Sequence, residues 1–240
     1  MQEKTRIKRG GLILLGILLV LAVAILIYSG IYYHADKTAE IAIQGDSVVR
    51  VSKADYGWFF DGPGEEDTLI FYPGGKVEET AYAPLLAELA RQGVDVCLVK
   101  MPMHLAVLGS DRADRVMEEY SYEHWYIGGH SLGGAVAAIY ASEHAEELDG
   151  LILLAAYSTH PLDEKMVVLL IYGSEDQVLD KEKYEECREN LPESVKETVI
   201  QGGNHAQFGS YGDQKGDGRA TISPEEQIRE TVQAILELIK

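Results

Sequence analysis

The feature of this sequence that most constrains its fold is the alternation of two kinds of segment after residue 44. Short runs rich in aliphatic and aromatic residues predict eight β-strands, at SVVRVS, YGWFFDG, TLIFYPGG, DVCLVKM, HWYIGGHS, GLILLAAY, MVVLLIYG and KETVIQGG. Amphipathic stretches between the later runs predict helices at Thr80–Gln92, Asp111–Tyr120, Leu132–Glu146, Asp180–Asn190 and Pro224–Ile239. The later strands are apolar throughout, as strands buried on both faces are. The pattern predicts an α/β domain over residues 45–240, with antiparallel opening strands, a mostly parallel central sheet and helices on both faces.

Composition narrows the class of protein. A chain of 240 residues is long enough to bury a core without covalent cross-links. Its two cysteines are too few for the dense disulfide framework of a small secreted domain, and we interpret Cys97 as a buried thiol and Cys187 as incidental. The net charge of −18 repels phosphates, which argues against nucleic acid as a partner.

The N-terminal residues predict a membrane anchor. Residues 1–9 carry four basic side chains against one acidic side chain, and residues 10–31 carry no charge. As a helix, that uncharged run would reach roughly 33 Å, which spans a bilayer core. Tyrosines at its end suit the membrane interface, and the basic flank places residues 1–9 in the cytoplasm. We therefore predict a single-pass transmembrane signal anchor at residues 10–33, a membrane protein with its C-terminal domain outside the cytoplasm.

A cleaved signal peptide is the alternative interpretation of the same run. Its apolar region is usually about 7–15 residues long and ends in a small-x-small cleavage site. Here the run is longer, and YYH precedes Ala35 where such a site would fall. We favour an uncleaved anchor, followed by a short tether at residues 34–44.

One short stretch, GGHSLGG, predicts a nucleophile on a sharp turn between strand and helix. Gly129 and Gly133 flank Ser131 at a spacing that removes side chains where strand and helix crowd together. Ser131 can then adopt a strained backbone and present its hydroxyl above the sheet. Alone, such a motif occurs by chance in many chains.

A serine nucleophile needs a base, and the base needs an acid to orient it. Asp176 follows the strand in LLIYGSEDQV, and His205 follows the next strand in VIQGGNHAQFG. The order serine, acid, histidine is the one this arrangement requires. Glu175 competes with Asp176 as the acid, and we favour Asp176 by its position after YG.

The three segments GGHSLGG, YGSEDQV and GGNHAQFG resemble the catalytic segments of the α/β-hydrolase superfamily, over about residues 45 to 240. FYPGGKVEETAYAPL and NHAQFGSYGDQKGDGRATISPEEQ further resemble a group of compact bacterial α/β-hydrolases distantly related to dienelactone hydrolases. The resemblance implies an α/β-hydrolase fold with two oxyanion donors, the amide of Leu132 and that of Gly75 or Lys76. Pro73 stands where many members carry histidine. Only STHPLDEK separates GLILLAAY from MVVLLIYG, so we expect no cap domain.

Other polar residues have structural interpretations beside functional ones. We expect His130 to pack beside the turn, whereas His104 and His160 either line the pocket or lie in exposed loops. The spaced acids in GDQKGDG lack the pattern of a calcium loop, so we interpret residues 212–218 as a glycine-rich surface turn. We expect no metal and no cofactor.

Together these features predict a membrane-anchored serine hydrolase, an enzyme, most simply a carboxylesterase acting on small or exposed acyl esters. A peptidase, thioesterase or acyltransferase would use the same residues. A non-catalytic binding or scaffold domain is the alternative from another class, because a fold alone does not guarantee chemistry.

Overall fold

A computed structural model describes residues 16–21 and 23–239 and divides the chain into two compact units, residues 1–32 and 33–240. In the first unit, residues 16–21 and 23–29 are helical. Among the described residues, no helix combines the length and the apolar character needed to cross a membrane. The predicted basic terminus, residues 1–9, and part of the predicted anchor, residues 10–15 and 22, lie outside the described residues. Membrane anchoring therefore stays a prediction.

The second unit is built on one eight-stranded sheet. Its strands are β1 (Arg50–Ala54), β2 (Gly57–Asp61), β3 (Asp67–Tyr72), β4 (Val94–Val99), β5 (His124–His130), β6 (Gly150–Leu154), β7 (Val167–Gly173) and β8 (Lys196–Ile200). The order across the sheet is β1-β2-β4-β3-β5-β6-β7-β8. Strand β2 is antiparallel to both of its neighbours, and the other pairs are parallel. The predicted mostly parallel sheet with antiparallel opening strands is confirmed.

Helices accompany the sheet much as the periodicity predicts. They are α1 (Lys37–Ala42), α2 (Ala83–Arg91), α3 (Arg112–Glu119), α4 (Leu132–Glu143), α5 (Lys181–Glu186) and α6 (Pro224–Ile239). The predicted helix at Thr80–Gln92 divides into a 3₁₀ turn, Glu79–Tyr82, and then α2. Pro84 lies in the first turn of α2. A proline has no N–H to donate, so it is tolerated in a first turn, where no intrahelical acceptor exists.

The core has two halves, one on each face of the sheet. Successive side chains on a strand point to opposite faces, so Leu69 and Phe71 lie in one apolar cluster while Ile70 and Tyr72 lie in the other. The first cluster includes side chains of α2 and α6, and the second includes side chains of α3, α4 and α5. Helices therefore cover both faces, as expected for a parallel sheet.

Residues 34–44, predicted to be a tether, contain helix α1. The carboxylate of Asp36 caps it by accepting from the Thr38 and Ala39 amides, and the Asp36 amide donates to the Ser210 carbonyl at 2.8 Å. Ala39 is fully buried, and Tyr33 forms a bridge with Val77. The predicted tether at residues 34–44 is therefore part of the folded second unit, where Ala39 is buried and Asp36 caps helix α1.

The carboxyl edge of the sheet is the edge where the predicted site residues follow their strands. Strands β3, β5, β7 and β8 each lead into one of the predicted segments, and β5 to β8 are consecutive neighbours in the sheet. The connection from β6 to β7, residues 155–166, contains neither helix nor strand. The expectation of no cap at this connection is therefore met.

Candidate active site

Ser131 lies at the turn between β5 and α4. It has φ 52° and ψ −123°, a backbone conformation that is costly for any residue other than glycine. Its amide donates to the Leu154 carbonyl of neighbouring strand β6 at 2.9 Å, which holds the turn against the sheet. The Ser131 side chain is half-buried. This geometry is that of a nucleophile turn, where strain presents the hydroxyl to the solvent side.

The two motif glycines allow α4 to lie directly on the sheet. A Cβ at Gly133 would come within 2.3 Å of the carbonyl oxygens of Tyr72 and Pro73. A Cβ at Gly129 would lie 2.5 Å from the Tyr72 oxygen. No side chain fits at those distances, so the close contact of the helix with β3 requires both glycines.

Asp176 and His205 meet beyond the ends of β7 and β8. The His205 Nδ1 lies 2.8 Å from Asp176 Oδ2, and both side chains are buried. The other oxygen of Asp176 accepts from the amides of Val178 and Leu179, each at 2.8 Å. Because a carboxylate can only accept, the proton of a neutral His205 is on Nδ1 and the lone pair is on Nε2. His205 is thus in the tautomer that a general base requires.

The basic nitrogen of His205 is unengaged. Its Nε2 is buried and has no hydrogen-bond partner among the described residues. Ser131 and His205 are accordingly not joined by a hydrogen bond in this structure, although the adjacent His130 ring lies 4.4 Å, centroid to centroid, from the His205 ring. Catalytic hydrogen bonds are often long or poorly aligned in unliganded enzymes. The structure thus joins Asp176 to His205 and brings the His205 ring against His130, the residue before Ser131.

His130 packs beside the turn, as expected, and connects it to the loop after β3. Buried Tyr82 accepts from the Gly74 amide at 3.0 Å, and its oxygen lies 2.8 Å from His130 Nδ1. Donation of the phenolic proton to Nδ1 satisfies the Tyr82 hydroxyl and Nδ1 and puts the imidazole proton of His130 on Nε2, a buried atom with no hydrogen-bond partner among the described residues. Burial, and then the charge of nearby His205, hold the pKa of His130 well below its usual value, with the His205 backbone acting in the opposite direction. His130 is therefore a neutral ring at neutral pH.

The loop after β3 carries the two amides expected as oxyanion donors, those of Gly75 and Lys76. The Lys76 amide already donates to the His104 carbonyl at 2.7 Å, so it is occupied. Gly75 lies against Leu132, since a Cβ on Gly75 would come within 2.9 Å of Leu132 Cδ2. Leu132 is the first residue of α4, where amides have no intrahelical acceptor. Of the two donors left open by the sequence, the geometry favours Gly75 over Lys76.

The remaining sequence candidates lie apart from this arrangement. Glu175 accepts from Ser174 Oγ at 2.9 Å, whereas the bond to His205 is made by Asp176. His104 lies 3.8 Å from buried Glu79, and His160 is exposed. Within the described part of the chain, no group of three or more histidine, cysteine or acidic side chains is arranged to hold a metal ion.

A cleft of about 1010 Å³ opens beside the loop that carries His205. Its walls come from α1, α2, the start of α6 and residues 204–220. Neither Ser131 nor Asp176 lines it. This cleft is therefore distinct from the surface at which an acyl group would meet Ser131.

The sequence predicted no catalytic role for two polar residues next to these groups. Tyr82 lies in the 3₁₀ turn before α2, and Asp217 lies in the loop interpreted as a surface turn. Asp217 accepts from the Ala206 amide at 2.9 Å, directly after His205. Neither residue carries a motif of its own, because their positions depend on how distant loops fold together.

Comparison with known proteins places this geometry in a family. The model of the alpha/beta hydrolase family matches residues 68–229. No curated protein matches the sequence of this chain. Solved structures of low sequence identity share the fold, as the following three show.

Carboxylesterase CesB from Bacillus subtilis aligns with a TM-score of 0.56 and 13% identity over 84% of this chain and 94% of its own. Est1E from Butyrivibrio proteoclasticus aligns with a TM-score of 0.56 and 15% identity over 80% of this chain and 99% of its own. A dienelactone hydrolase from Anabaena variabilis aligns with a TM-score of 0.54 and 14% identity over 80% of this chain and 97% of its own. The matched region carries β3 to β8 and every candidate catalytic side chain. The chain belongs to the alpha/beta hydrolase family.

Proposed function

We propose that this protein is a serine hydrolase that cleaves small carboxylic esters through Ser131, His205 and Asp176. The observation that carries the proposal is the buried hydrogen bond from His205 Nδ1 to Asp176, which leaves Nε2 free beside the strained Ser131 turn. An orienting acid, a base in the correct tautomer and a nucleophile on a strained turn are the parts that acyl transfer requires.

The reaction follows from these positions. Rotation of the Ser131 hydroxyl toward His205 Nε2 lets the base take the proton as Oγ attacks the acyl carbonyl carbon. His205, now protonated, gives that proton to the leaving alcohol, and the acyl group remains on Ser131. Water then attacks the acyl-enzyme with His205 as base again, and His205 returns the proton to Ser131 Oγ as the bond to the acyl group breaks and the carboxylic acid leaves. Asp176 holds the ring and stabilises its charge in both steps.

The negative charge on the attacked carbonyl oxygen needs donors that are already in place. We assign the amides of Leu132 and Gly75 to this role, because Gly75 lies against the Leu132 side chain and the Lys76 amide already donates to the His104 carbonyl. No cofactor enters any step.

The short β6–β7 connection bears on the size of the substrate. Residues 155–166 form no helix that would cover Ser131, so this edge has no enclosing lid from that connection. An open surface suits a short or exposed acyl group better than a long chain, which gains most from a dry tunnel. We therefore expect activity to fall as the acyl chain lengthens.

The experiment compares full-length protein with the Ser131→Ala and Ser142→Ala variants on p-nitrophenyl acetate, butyrate and laurate. Ser142 lies on the same helix and bonds to the Ile139 carbonyl, so it serves as the matched control. We expect Ser131→Ala to lose about 10⁴-fold or more of kcat, because members of a triad act as a unit. Ser142→Ala should hydrolyse acetate and butyrate at the normal rate.

Equal rates for Ser131→Ala and the unmodified protein would remove Ser131 from the mechanism. Inactivity of the unmodified protein on oxygen esters, thioesters and amides alike would favour the binding or scaffold alternative. Preference for a thioester or amide would move the assignment to a thioesterase or peptidase.

We also propose that residues 10–33 anchor the protein in the cell membrane with residues 1–9 in the cytoplasm and the hydrolase domain outside. Support comes from the uncharged run and its basic flank. Cell fractionation tests the anchoring. Protease added to intact spheroplasts tests the orientation. Full-length chain in the membrane fraction, with a protease-sensitive hydrolase domain, is the expected result. A shortened chain found only in the medium would indicate cleavage instead.

A further inference from the structure

The loop at residues 212–218 bonds to the segments that carry the acid and the base. Its Asp217 carboxylate accepts three backbone amides: Oδ2 from Ala206 at 2.9 Å, and Oδ1 from Gln177 at 3.3 Å and from Gly218 at 2.8 Å. Ala206 directly follows His205, and Gln177 directly follows Asp176. One side chain thus connects the residues next to both members of the histidine–acid pair.

The backbone beside Asp217 makes a second set of contacts to the same two segments. The Gly218 carbonyl accepts from Asn204 Nδ2 at 2.8 Å, on the other side of His205. A Cβ on Gly218 would lie 1.9 Å from the Glu175 carbonyl oxygen, so the backbone there touches the residue before Asp176. The loop therefore contacts the residues before and after each of the two buried side chains.

Other hydrogen bonds join these two segments near the strand ends. The Glu175 amide donates to the Gly203 carbonyl and the Ser174 amide to the Ile200 carbonyl, each at 2.9 Å, and the Gly202 amide donates to Ser174 Oγ at 2.8 Å. Asp217 adds its connection beyond the strands, where β7 and β8 no longer pair. Hydrogen bonds to a carboxylate are shorter and stronger than neutral ones, which suits a group that must hold two loops in place.

We propose that Asp217 is a positioning residue that holds the His205 segment and the Asp176 segment in the geometry needed for catalysis. The inference rests on the proposed function and assigns a role in it to a loop that looks like a surface turn in the sequence. Asp217 does not contact the reacting atoms; it acts through Ala206 and Gln177. A displacement of about 1 Å in such a site costs about 10²-fold in rate.

The test is Asp217→Asn in the full-length protein. Asparagine has nearly the same shape but only one acceptor oxygen, so it cannot accept from both Ala206 and Gln177. Asp213→Asn is the matched control, because it makes the same change of charge at an exposed position of the same loop. We expect Asp217→Asn to lower kcat on p-nitrophenyl butyrate by about 10- to 100-fold with KM within about twofold, a loss in the range that misplacement produces. Asp213→Asn should match the unmodified protein.

A second readout separates positioning from a general structural role. The proton shared between His205 Nδ1 and Asp176 should give a far-downfield ¹H NMR signal in the unmodified protein and in Asp213→Asn. We expect this signal to be weakened or lost in Asp217→Asn while circular dichroism shows the fold to be intact.

Each outcome decides the proposal. Unchanged kcat and an unchanged downfield signal in Asp217→Asn would overturn it while leaving the proposed hydrolase function in place. A loss of activity that matches the fraction of unfolded Asp217→Asn protein would also overturn it, since the residue would then be structural only. Inactivity of the unmodified protein would instead refute the proposed function on which the inference rests.

Discussion

Asp176 determines which nitrogen of His205 is basic. Its two oxygens are fully used, one by two amides of its own turn and the other by His205 Nδ1. The amides fix the carboxylate in one orientation, so the carboxylate in turn fixes the ring. The role of this residue is therefore to select a tautomer as well as to supply charge.

Replacing Asp176 with asparagine should keep the turn and invert the tautomer. An asparagine oxygen can still accept from the two turn amides, which directs its NH₂ group at His205 and makes Nδ1 the acceptor. Nε2 would then carry the proton and could not act as a base. We expect kcat to fall about 10⁴-fold while Tm stays similar. Loss of the correct histidine tautomer lowers kcat by about this factor in serine proteases.

The control for this change is Glu175→Gln. Glu175 is the neighbouring acid and bonds to Ser174, not to His205. Its substitution should leave kcat within a fewfold of normal. A large loss in Glu175→Gln together with normal activity in Asp176→Asn would reverse the assignment of the acid.

The sequence was sufficient to nominate Ser131, Asp176 and His205, because each follows a strand in a recognisable local pattern. It could not choose between Gly75 and Lys76, since that choice depends on a bond from Lys76 to the distant residue His104. It also could not nominate Tyr82 or Asp217. Both act through contacts between loops far apart in the chain, and no local pattern encodes them.

At the scale of elements, the contact of helix α4 with the sheet sets the position of the nucleophile. The helix starts directly after Ser131, and its glycines touch backbone atoms of β3 and of Pro73. Any change in the distance between α4 and β3 would move Ser131 relative to the loop that carries Gly75. In the proposed mechanism, packing and catalysis are therefore coupled at this helix.

Gly133→Ala tests that coupling. The added methyl group would overlap two carbonyl oxygens at 2.3 Å, and backbone cannot move aside as a side chain can. We expect a loss of about 1–3 kcal/mol in the free energy of unfolding, as for overpacked cores, together with reduced kcat. Urea unfolding and the butyrate assay measure the two effects.

Ser142→Ala on the same helix should change the free energy of unfolding by less than about 0.5 kcal/mol, the usual range for sites away from special features. If Gly133→Ala were equally harmless, α4 could move away from β3 without consequence. The structural explanation of the glycine motif would then be wrong.

The elements themselves were largely predictable from periodicity, and the exceptions have physical causes. The long predicted helix at Asp180–Asn190 ends as α5 at Glu186 and continues as a 3₁₀ turn, Cys187–Asn190. Helix α1 was missed because its six residues are too short for a periodic pattern, and its stability comes from the Asp36 cap and from packing. Short helices of this kind depend on tertiary contacts that a single sequence does not display.

For the whole molecule, the buried neutral state of His130 links stability to pH. The folded protein holds the pKa of His130 well below its usual value, mainly through burial, whereas the unfolded chain binds a proton there near pH 6.5. Below that pH, the unfolded state therefore binds more protons than the folded state. Stability should be fully retained above about pH 6.5 and should fall as the pH drops below it.

His130→Gln should make this dependence flatter. One proton with an unfolded pKa of about 6.5 accounts for about 1.4 kcal/mol of stability between pH 7.5 and pH 5.5. Between these two pH values, the free energy of unfolding should therefore fall by about 1.4 kcal/mol less in His130→Gln than in the unmodified protein. The fluorescence of Trp58 and Trp125 follows the unfolding. The groups facing His130 are Tyr82, His205 and Phe208.

His124→Gln is the control of opposite sign. The hydrogen bond to Asp149 raises the pKa of exposed His124, so this residue favours the folded state as the pH falls. Its removal should steepen the dependence of stability on pH. A pH dependence identical in His130→Gln and in the unmodified protein would show that His130 is not held neutral.

The central claim is that Ser131 is a nucleophile activated by His205. The most direct measurement is intact-mass spectrometry of the full-length protein after reaction with a fluorophosphonate, followed by peptide mapping. The account predicts one adduct per chain, located on Ser131, with labelling slowed at least 10³-fold in Asp176→Asn, in line with its expected loss of base function. No adduct on Ser131 in a protein that still hydrolyses butyrate ester would contradict it.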